Sequence, residues 1–230
     1  MVLTRLRLIA RRARVRFHEW RLGIHSEGDV SLSQYGISDP ECYYYTPTNY
    51  QRFAEVMERI TVRPDRDVFL DLGSGKGRVV ILAAKYPFKK VIGVEIAPEL
   101  NAIADENVRR VRHRLRCQEI ELHIADAKSY VIPPEVTVVY LWNPFREALL
   151  AAVFANLRTS IQQTPREVTV AYLSPDEITH LDRIKETLGW LEERQRIRLR
   201  TEWLVLYRCG PTGGGSDLPQ VSSALGKESS

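Results

Sequence analysis

Three short apolar runs each lead to an acid, and the three acids together could hold one nucleoside. Val68-Phe69-Leu70-Asp71-Leu72 carries Asp71 near its end and runs into Gly73-Ser74-Gly75-Lys76-Gly77. Val91-Ile92-Gly93-Val94 closes on Glu95, and Ile120-Glu121-Leu122-His123-Ile124 leads into Ala125-Asp126-Ala127. Runs of this length and β-branched content read as strands, so the acids fall at strand tips. Alternating glycines let the chain turn sharply and bring main-chain N–H groups against a ligand with no Cβ between. A carboxylate just ahead of such a turn repels a pyrophosphate and attracts an ammonium. Asp71 with Gly73, Ser74, Gly75 and Gly77 therefore favours an amino-acid-bearing nucleoside over a dinucleotide. Glu95, eighteen residues beyond Gly77, is placed to accept hydrogen bonds from both ribose hydroxyls. Asp126 is suited to the exocyclic amine of an adenine, with Ile96 and Ala127 offering flat apolar contact.

Two further segments bear on chemistry. A fourth apolar run, Val136 to Trp142, ends in Asn143-Pro144-Phe145, beside the first run in a doubly wound sheet and hence near a reacting centre. Asn143 is either an acceptor-facing amide or the cap of the helix that follows. Upstream, Tyr43-Tyr44-Tyr45-Thr46-Pro47-Thr48 precedes an amphipathic helix over Asn49 to Ile60. Its aromatics either pack internally or close over a ligand. Lys76 reads as a solvated helix-start residue or as a partner for a ligand carboxylate. The five histidines form no triad or metal spacing, and His123 reads as structural, within the third strand.

These motifs, in this order and spacing, resemble those of the class I methyltransferases that bind S-adenosylmethionine, over roughly residues 43 to 208. The resemblance implies that Asp71 holds the methionine amino end, that the glycine turn lines the methionine tail, that Glu95 binds ribose and that Asp126 reads the adenine amine. The aromatic-x-Pro-Thr-like lid segment narrows it. Such a segment is typical of a bacterial group of unassigned substrate, related to the seven-strand protein-lysine methyltransferases. There it closes over the cofactor, which implies cofactor contacts for Tyr45 and Thr48. In related amine and amide methyltransferases an Asn/Asp-Pro-Pro-aromatic segment holds the target nitrogen. By resemblance Asn143 and Phe145 are then the catalytic candidates, although this chain carries one proline where that pattern has two.

The elements that must position these residues follow from pattern. Apolar runs alternating with helical stretches predict an α/β, doubly wound, mostly parallel seven-stranded sheet. The alternating segments Glu192–Arg200 and Thr201–Cys209 lie almost end to end, which predicts an antiparallel C-terminal hairpin at the sheet edge. Helices are expected over Glu147–Leu157 and Asp176–Leu188. The chain divides into a basic arm (1–22), a lid with its helix (23–60), a ligand-binding body (61–209) and a Gly/Ser/Pro-rich disordered tail (210–230).

Charge is unevenly shared. Residues 1–22 hold seven arginines and one acid, Glu19, while the whole chain carries only +4. In that arm Leu3, Leu6, Ala10, Ala13, Phe17 and Trp20 make a helical apolar stripe. The stripe predicts either a helix docked on the body with a solvated basic face, or a basic amphipathic helix that contacts the phosphates of a nucleic acid or a membrane surface. An Arg-rich transit peptide has the same pattern. The longest apolar run, Ala148 to Ala155, is far too short to span a bilayer. Cys42, Cys117 and Cys209 are scattered, without metal or disulfide spacing, which fits free thiols in a reducing, cytoplasmic setting.

The leading expectation is an S-adenosylmethionine-dependent N-methyltransferase, with protein lysine as the first acceptor and RNA or a small molecule as alternatives. A nicotinamide-dependent oxidoreductase fits less well, because the dinucleotide pattern is G-x-G-x-x-G without a preceding acid. A nucleoside-binding module without transfer is the non-enzymatic alternative. Oligomeric state stays open.

Overall fold

The structure is a computed structural model that describes residues 15–37, 44–143 and 145–211. Its centre is a seven-stranded sheet built from β1 (Val68–Leu72), β2 (Lys90–Glu95), β3 (Ile120–Ile124), β4 (Val136–Trp142), β5 (Val168–Ser174), β6 (Leu191–Leu199) and β7 (Glu202–Cys209). The spatial order is β3-β2-β1-β4-β5-β7-β6. The first five strands pair in parallel, and β7 runs antiparallel to both β5 and β6. The expected fold class, hairpin included, is the observed one.

Side chains alternate along each strand, so the sheet buries two cores. Val68, Leu70 and Leu72 pack with Leu149, Leu150, Val153 and Phe154 of α5 (Glu147–Gln163) on one face. Phe69 and Val91 pack on the other face with α2 (Tyr50–Met57) and α3 (Arg78–Ala83), and with Val108 and Val111 of α4 (Pro98–Val111). Pro98 opens α4 at its first turn, where the missing N–H costs nothing. Asn49 caps α2, its side chain accepting from the Gln51 and Arg52 amides.

Register sets the relative heights of the acids. Asp71 pairs with Gly93, two residues short of Glu95, and Glu95 pairs with Ile124, two residues short of Asp126. Asp71, Glu95 and Asp126 thus climb like steps across three neighbouring strands. At standard strand spacings the staircase spans on the order of 15 Å, the length of an extended amino-acid nucleoside.

Besides α2, which ends at Met57 and not at Ile60, three helical expectations change. α6 runs only over His180–Ile184, followed by a 3-10 turn over Lys185–Leu188. Its start is delayed because Thr179 and Asp182 form a reciprocal capping box, which leaves Asp176 outside the helix. α5 continues past Leu157 to Gln163. The third change concerns the arm, of which residues 1–14 lie outside the described residues. Residues 15–22 form helix α1. Of the stripe expected to dock, Phe17 is 55% and Trp20 79% exposed, whereas Glu19 and Leu22 are the buried residues. The face that meets the body carries an acid, and the aromatic face looks outward. The tail expected from residue 210 lies almost wholly outside the described residues.

The segment between α1 and α2 has more structure than a plain lid. A 3-10 turn covers Leu32–Tyr35, and Val30 and Tyr45 pair as an antiparallel bridge through two backbone hydrogen bonds of 3.0 and 2.8 Å. At the sheet edge, β6 carries a register shift between Glu193 and Gln195.

Candidate functional site

Beyond the carboxyl ends of the parallel strands lies a cleft of ≈ 490 Å³, the size of a small-ligand site. Its walls include Tyr45, Gly73, Glu95, Ile96, Asp126, Ala127, Asn143 and Phe145, eight of the residues singled out from sequence. A narrow recess of ≈ 40 Å³ shares Tyr45, Thr46, Gly73 and Trp142 with the cleft and adds Thr48, Asp71 and Ser74. Sheet and lid together bring eleven of the thirteen candidates to one place. Gly75 and Gly77 line neither cavity and act beneath it.

The glycine turn explains itself atom by atom. Gly73 N and Ser74 N both donate to Val94 O at 2.9 Å, which ties the turn to the tip of β2. At Gly75 (φ 52°) a Cβ would come 2.1 Å from Cε2 of Tyr45, so the Tyr45 ring rests where a side chain would stand. At Gly77 (φ 77°) a Cβ would lie 2.9 Å from the Ala104 Cβ, so this glycine lets α4 approach the turn.

Electrostatics distinguish the three acids. Asp71 is fully buried, and burial, aided by the nearby Glu95 charge, pushes its carboxyl well above the usual range. No cation or hydrogen-bond donor among the described residues offsets this. A buried carboxylate in that condition is costly until a cation reaches it. Glu95 is also raised by burial, opposed by main-chain donors: Gly75 N gives 2.8 Å to Oε2 and Ala97 N gives 3.0 Å to Oε1. Those bonds hold both oxygens in place while leaving each a lone pair for a ligand hydroxyl. Asp126 is half-buried at the cleft wall, its Oδ1 accepting from Lys128 N at 2.8 Å.

Two more polar atoms at the recess lack partners among the described residues. Ser74 Oγ and Trp142 Nε1 are buried with no hydrogen bond among the described residues, and both residues border the recess. A cationic head near Asp71, a hydroxylated middle at Glu95 and an amine at Asp126 would satisfy this donor and acceptor set. The residues fit an amino-acid-bearing nucleoside.

Tyr45 closes the site from the lid. Its hydroxyl donates to Ser26 O at 2.6 Å, and burial pushes its pKa up. Thr48 is buried, and its Oγ1 accepts from Tyr140 Oη at 3.3 Å. Lys76 turns to the lid rather than the cleft. Its Nζ donates to Glu27 O at 2.6 Å and lies 5.2 Å from the Tyr45 ring centroid.

Asn143 sits at the tip of β4 in a left-handed conformation (φ 41°), and its Oδ1 accepts from the Tyr172 hydroxyl at 3.0 Å. It does not cap α5, whose N-cap is Arg146, so the capping alternative is set aside. Phe145 is 6% exposed and packs into the core while lining the cleft. Pro144 lies outside the described residues.

Sequence reasoning missed two features. His180, not singled out from the sequence, lines the cleft and stands 3.6 Å from Glu147. Arg78 is buried directly after the turn. It pairs with Glu19 at 3.0 Å, and donates to Ser26 Oγ at 2.7 Å and Thr48 O at 3.0 Å. The available signal was a lone charge in an otherwise wholly apolar helix, Arg78–Ala83.

Comparison with known proteins bears on this geometry. A family model described as "Histone methylation protein DOT1" matches residues 26–140, half the chain. A Drosophila melanogaster histone-lysine N-methyltransferase, H3 lysine-79 specific, is 40% identical over 67 residues, covering 29% of this chain and 4% of that protein. Its Caenorhabditis elegans counterpart is 24% identical over 184 residues, covering 68% of this chain and 19% of that protein. This chain therefore spans less than a fifth of the length of either relative. A Salinibacter ruber RNA methyltransferase, solved with S-adenosyl-L-homocysteine, superposes with a TM-score of 0.54 at 22% identity. That match covers 76% of this chain and 97% of the other, a likeness of fold.

Proposed function

The chain belongs to the DOT1 histone-methylation family, and from that premise we propose that it is an S-adenosylmethionine-dependent methyltransferase acting on nitrogen, with a protein lysine as acceptor. The observation that carries this reading is Asp71, a buried carboxylate with no cationic partner among the described residues, beneath a glycine turn. When bound, the cofactor supplies an electrophilic methyl group on a sulfonium. Everything else falls to the chain's own residues: holding two reactants in line, keeping water out and keeping the nucleophile unprotonated.

Asp71 takes the methionine ammonium, Ser74 and the turn contact its tail, Glu95 holds the ribose hydroxyls, and Asp126 with Ile96 and Ala127 holds the adenine. Tyr45 and Thr48 cover the site from the lid side. Asn143 faces the acceptor nitrogen, its amide oxygen oriented by the Tyr172 hydroxyl. Phe145 and Trp142 give the apolar wall that a lysine stem requires. Hydrogen-bond acceptance by Asn143 fixes the direction of the acceptor nitrogen, so that its lone pair lies in line with the methyl group once the proton has left.

Outside the site, the arginines of residues 1–22 serve contact with a polyanion, and the lid of residues 23–60 and the body of residues 61–209 work as one unit. A cytoplasmic setting, as in bacteria, is supported by two buried free thiols, Cys117 and Cys209. No helix among the described residues is long and apolar enough to cross a membrane.

Calorimetric titration with S-adenosylmethionine and with NAD tests the cofactor, and binding of NAD instead would overturn the reading. Incubation of host lysate with labelled cofactor, followed by mass spectrometry, tests the acceptor. Label on a lysine side chain is expected; label confined to RNA would replace protein with nucleic acid, and binding without any labelled acceptor would favour a nucleoside-binding module.

A further inference from the structure

On the side of the molecule where α1 meets α3 and the end of α4, a second cavity of ≈ 380 Å³ is unrelated to the cofactor site. Its floor is apolar, formed by Leu22, Ile81 and Leu115, and its rim is basic, formed by Arg21, Lys85 and Arg114. Arg114 is fixed in place, its Nη1 donating to Arg21 O at 3.0 Å and to Leu22 O at 3.4 Å. Among the described residues no carboxylate pairs with any of the three. The Lys85 ammonium is held below its usual pKa by desolvation and by the Arg114 and Arg21 charges, with no acid to compensate. Three cations converging over an apolar floor call for an anion that brings its own hydrocarbon.

The neighbouring surface of α1 extends the same chemistry. Phe17 and Trp20, on the same helix as the cavity-lining Arg21, stand outward, 55% and 79% exposed, their ring centroids 6.1 Å apart. The helix's one acid, Glu19, turns inward to Arg78, so the outer face shows arginine and aromatic side chains without a carboxylate. Exposed aromatics flanked by guanidinium groups match a lipid–water boundary, where the ring meets acyl chains and the charge meets headgroup phosphates. A nucleic acid would satisfy the cations but has no hydrocarbon for the apolar floor.

We propose that this face docks on an anionic phospholipid surface, with a headgroup phosphate held by Arg21, Lys85 and Arg114 and with Phe17 and Trp20 entering the interface. The proposal goes beyond the methyltransferase reading and does not depend on it. It places the enzyme at a membrane without a spanning helix.

Full-length protein is sedimented with vesicles of phosphatidylcholine alone and of phosphatidylcholine mixed with phosphatidylglycerol. Binding to the mixed vesicles alone is expected. Trp20→Ala and Lys85→Glu should each weaken it about tenfold, with unchanged melting temperature and unchanged S-adenosylmethionine affinity. Lys85→Gln, a milder change at an exposed site, should lie between. Equal binding to neutral vesicles, loss of vesicle binding in favour of a short RNA duplex, or indifference to both Lys85 variants would each overturn the proposal. Indifference would assign the attraction to other arginines of the arm and leave the cavity without a role.

Discussion

Arg78 and Glu19, 59 residues apart in the chain, meet in a buried ion pair of 3.0 Å that fastens the N-terminal helix to the first turn of α3. Glu19 Oε1 also accepts from Ser26 N at 2.8 Å and Ser26 Oγ at 2.6 Å, and the Arg78 guanidinium lies 4.5 Å from the Tyr50 ring centroid. The knot joins arm, lid and cofactor turn. Glu19→Ala leaves a buried guanidinium without its counter-charge and is expected to cost about 3 kcal/mol. Thermal denaturation measures that loss, and hydrogen exchange should rise over residues 15–30. Adding Arg78→Met should restore part of the stability, because an apolar side chain carries no desolvation penalty.

Asp71→Asn should separate stability from binding. The folded pKa of Asp71 lies above its unfolded value, so the native state holds a proton that the unfolded chain releases. Ionised Asp71 therefore lowers stability increasingly as pH rises from the ordinary carboxylate range towards its raised value. Asparagine removes that penalty, and the cofactor-free protein should melt higher at pH 7. S-adenosylmethionine affinity should fall about 100-fold by calorimetry. A variant that melts lower and binds normally would contradict the assigned role.

The same sign predicts proton release on binding. The ligand's ammonium favours ionised Asp71, and Glu95, also raised, is ionised when it accepts ribose hydroxyls. Affinity should rise with pH until the raised values are passed, and titrations in buffers of different ionisation enthalpy should report the released proton. Asp71→Asn should reduce that release.

Gly75→Ala is expected to act through Tyr45. The new methyl would lie 2.1 Å from the Tyr45 ring, at a φ of 52° that alanine tolerates poorly. The ring must leave, losing its hydrogen bond to Ser26 O. Cofactor affinity should fall at least tenfold, whereas Tyr45→Phe should cost only about 1 kcal/mol, the worth of one hydrogen bond. Comparison of the two variants by calorimetry separates displacement of the ring from loss of its hydroxyl.

Asn143→Ala should slow methyl transfer more than it weakens cofactor binding, about 100-fold against less than threefold. Tyr172→Phe should reproduce part of that loss by freeing the Asn143 amide it orients. Single-turnover rates and cofactor titrations of both variants distinguish this from simple destabilisation.

Much of the fold and site was legible because the signals are local. Asp71, Glu95 and Asp126 each end or follow an apolar run, and strand register then assembles them without further instruction. The Thr179–Asp182 capping box was present in the sequence too, but helical periodicity from Asp176 masked it and hid His180's place at the cleft. Arg78 and Glu19 were beyond local pattern, since neither residue's neighbours announce a partner 59 positions away. The arm's stripe was visible but its orientation was not. Periodicity says which side of a helix is apolar, whereas the buried Glu19–Arg78 pair decides which side faces the body.

The outer rim of the sheet has a consequence for the behaviour of the protein in concentrated solution. β6 ends the sheet with the sequence LEERQRIRL, whose mixed charges and register shift interrupt the row of free backbone groups. At the opposite rim β3 is five residues long and places Glu121 and His123 among its apolar positions. Neither border offers a flat, hydrophobic template for strand addition, so growth into cross-β aggregates is disfavoured from both sides.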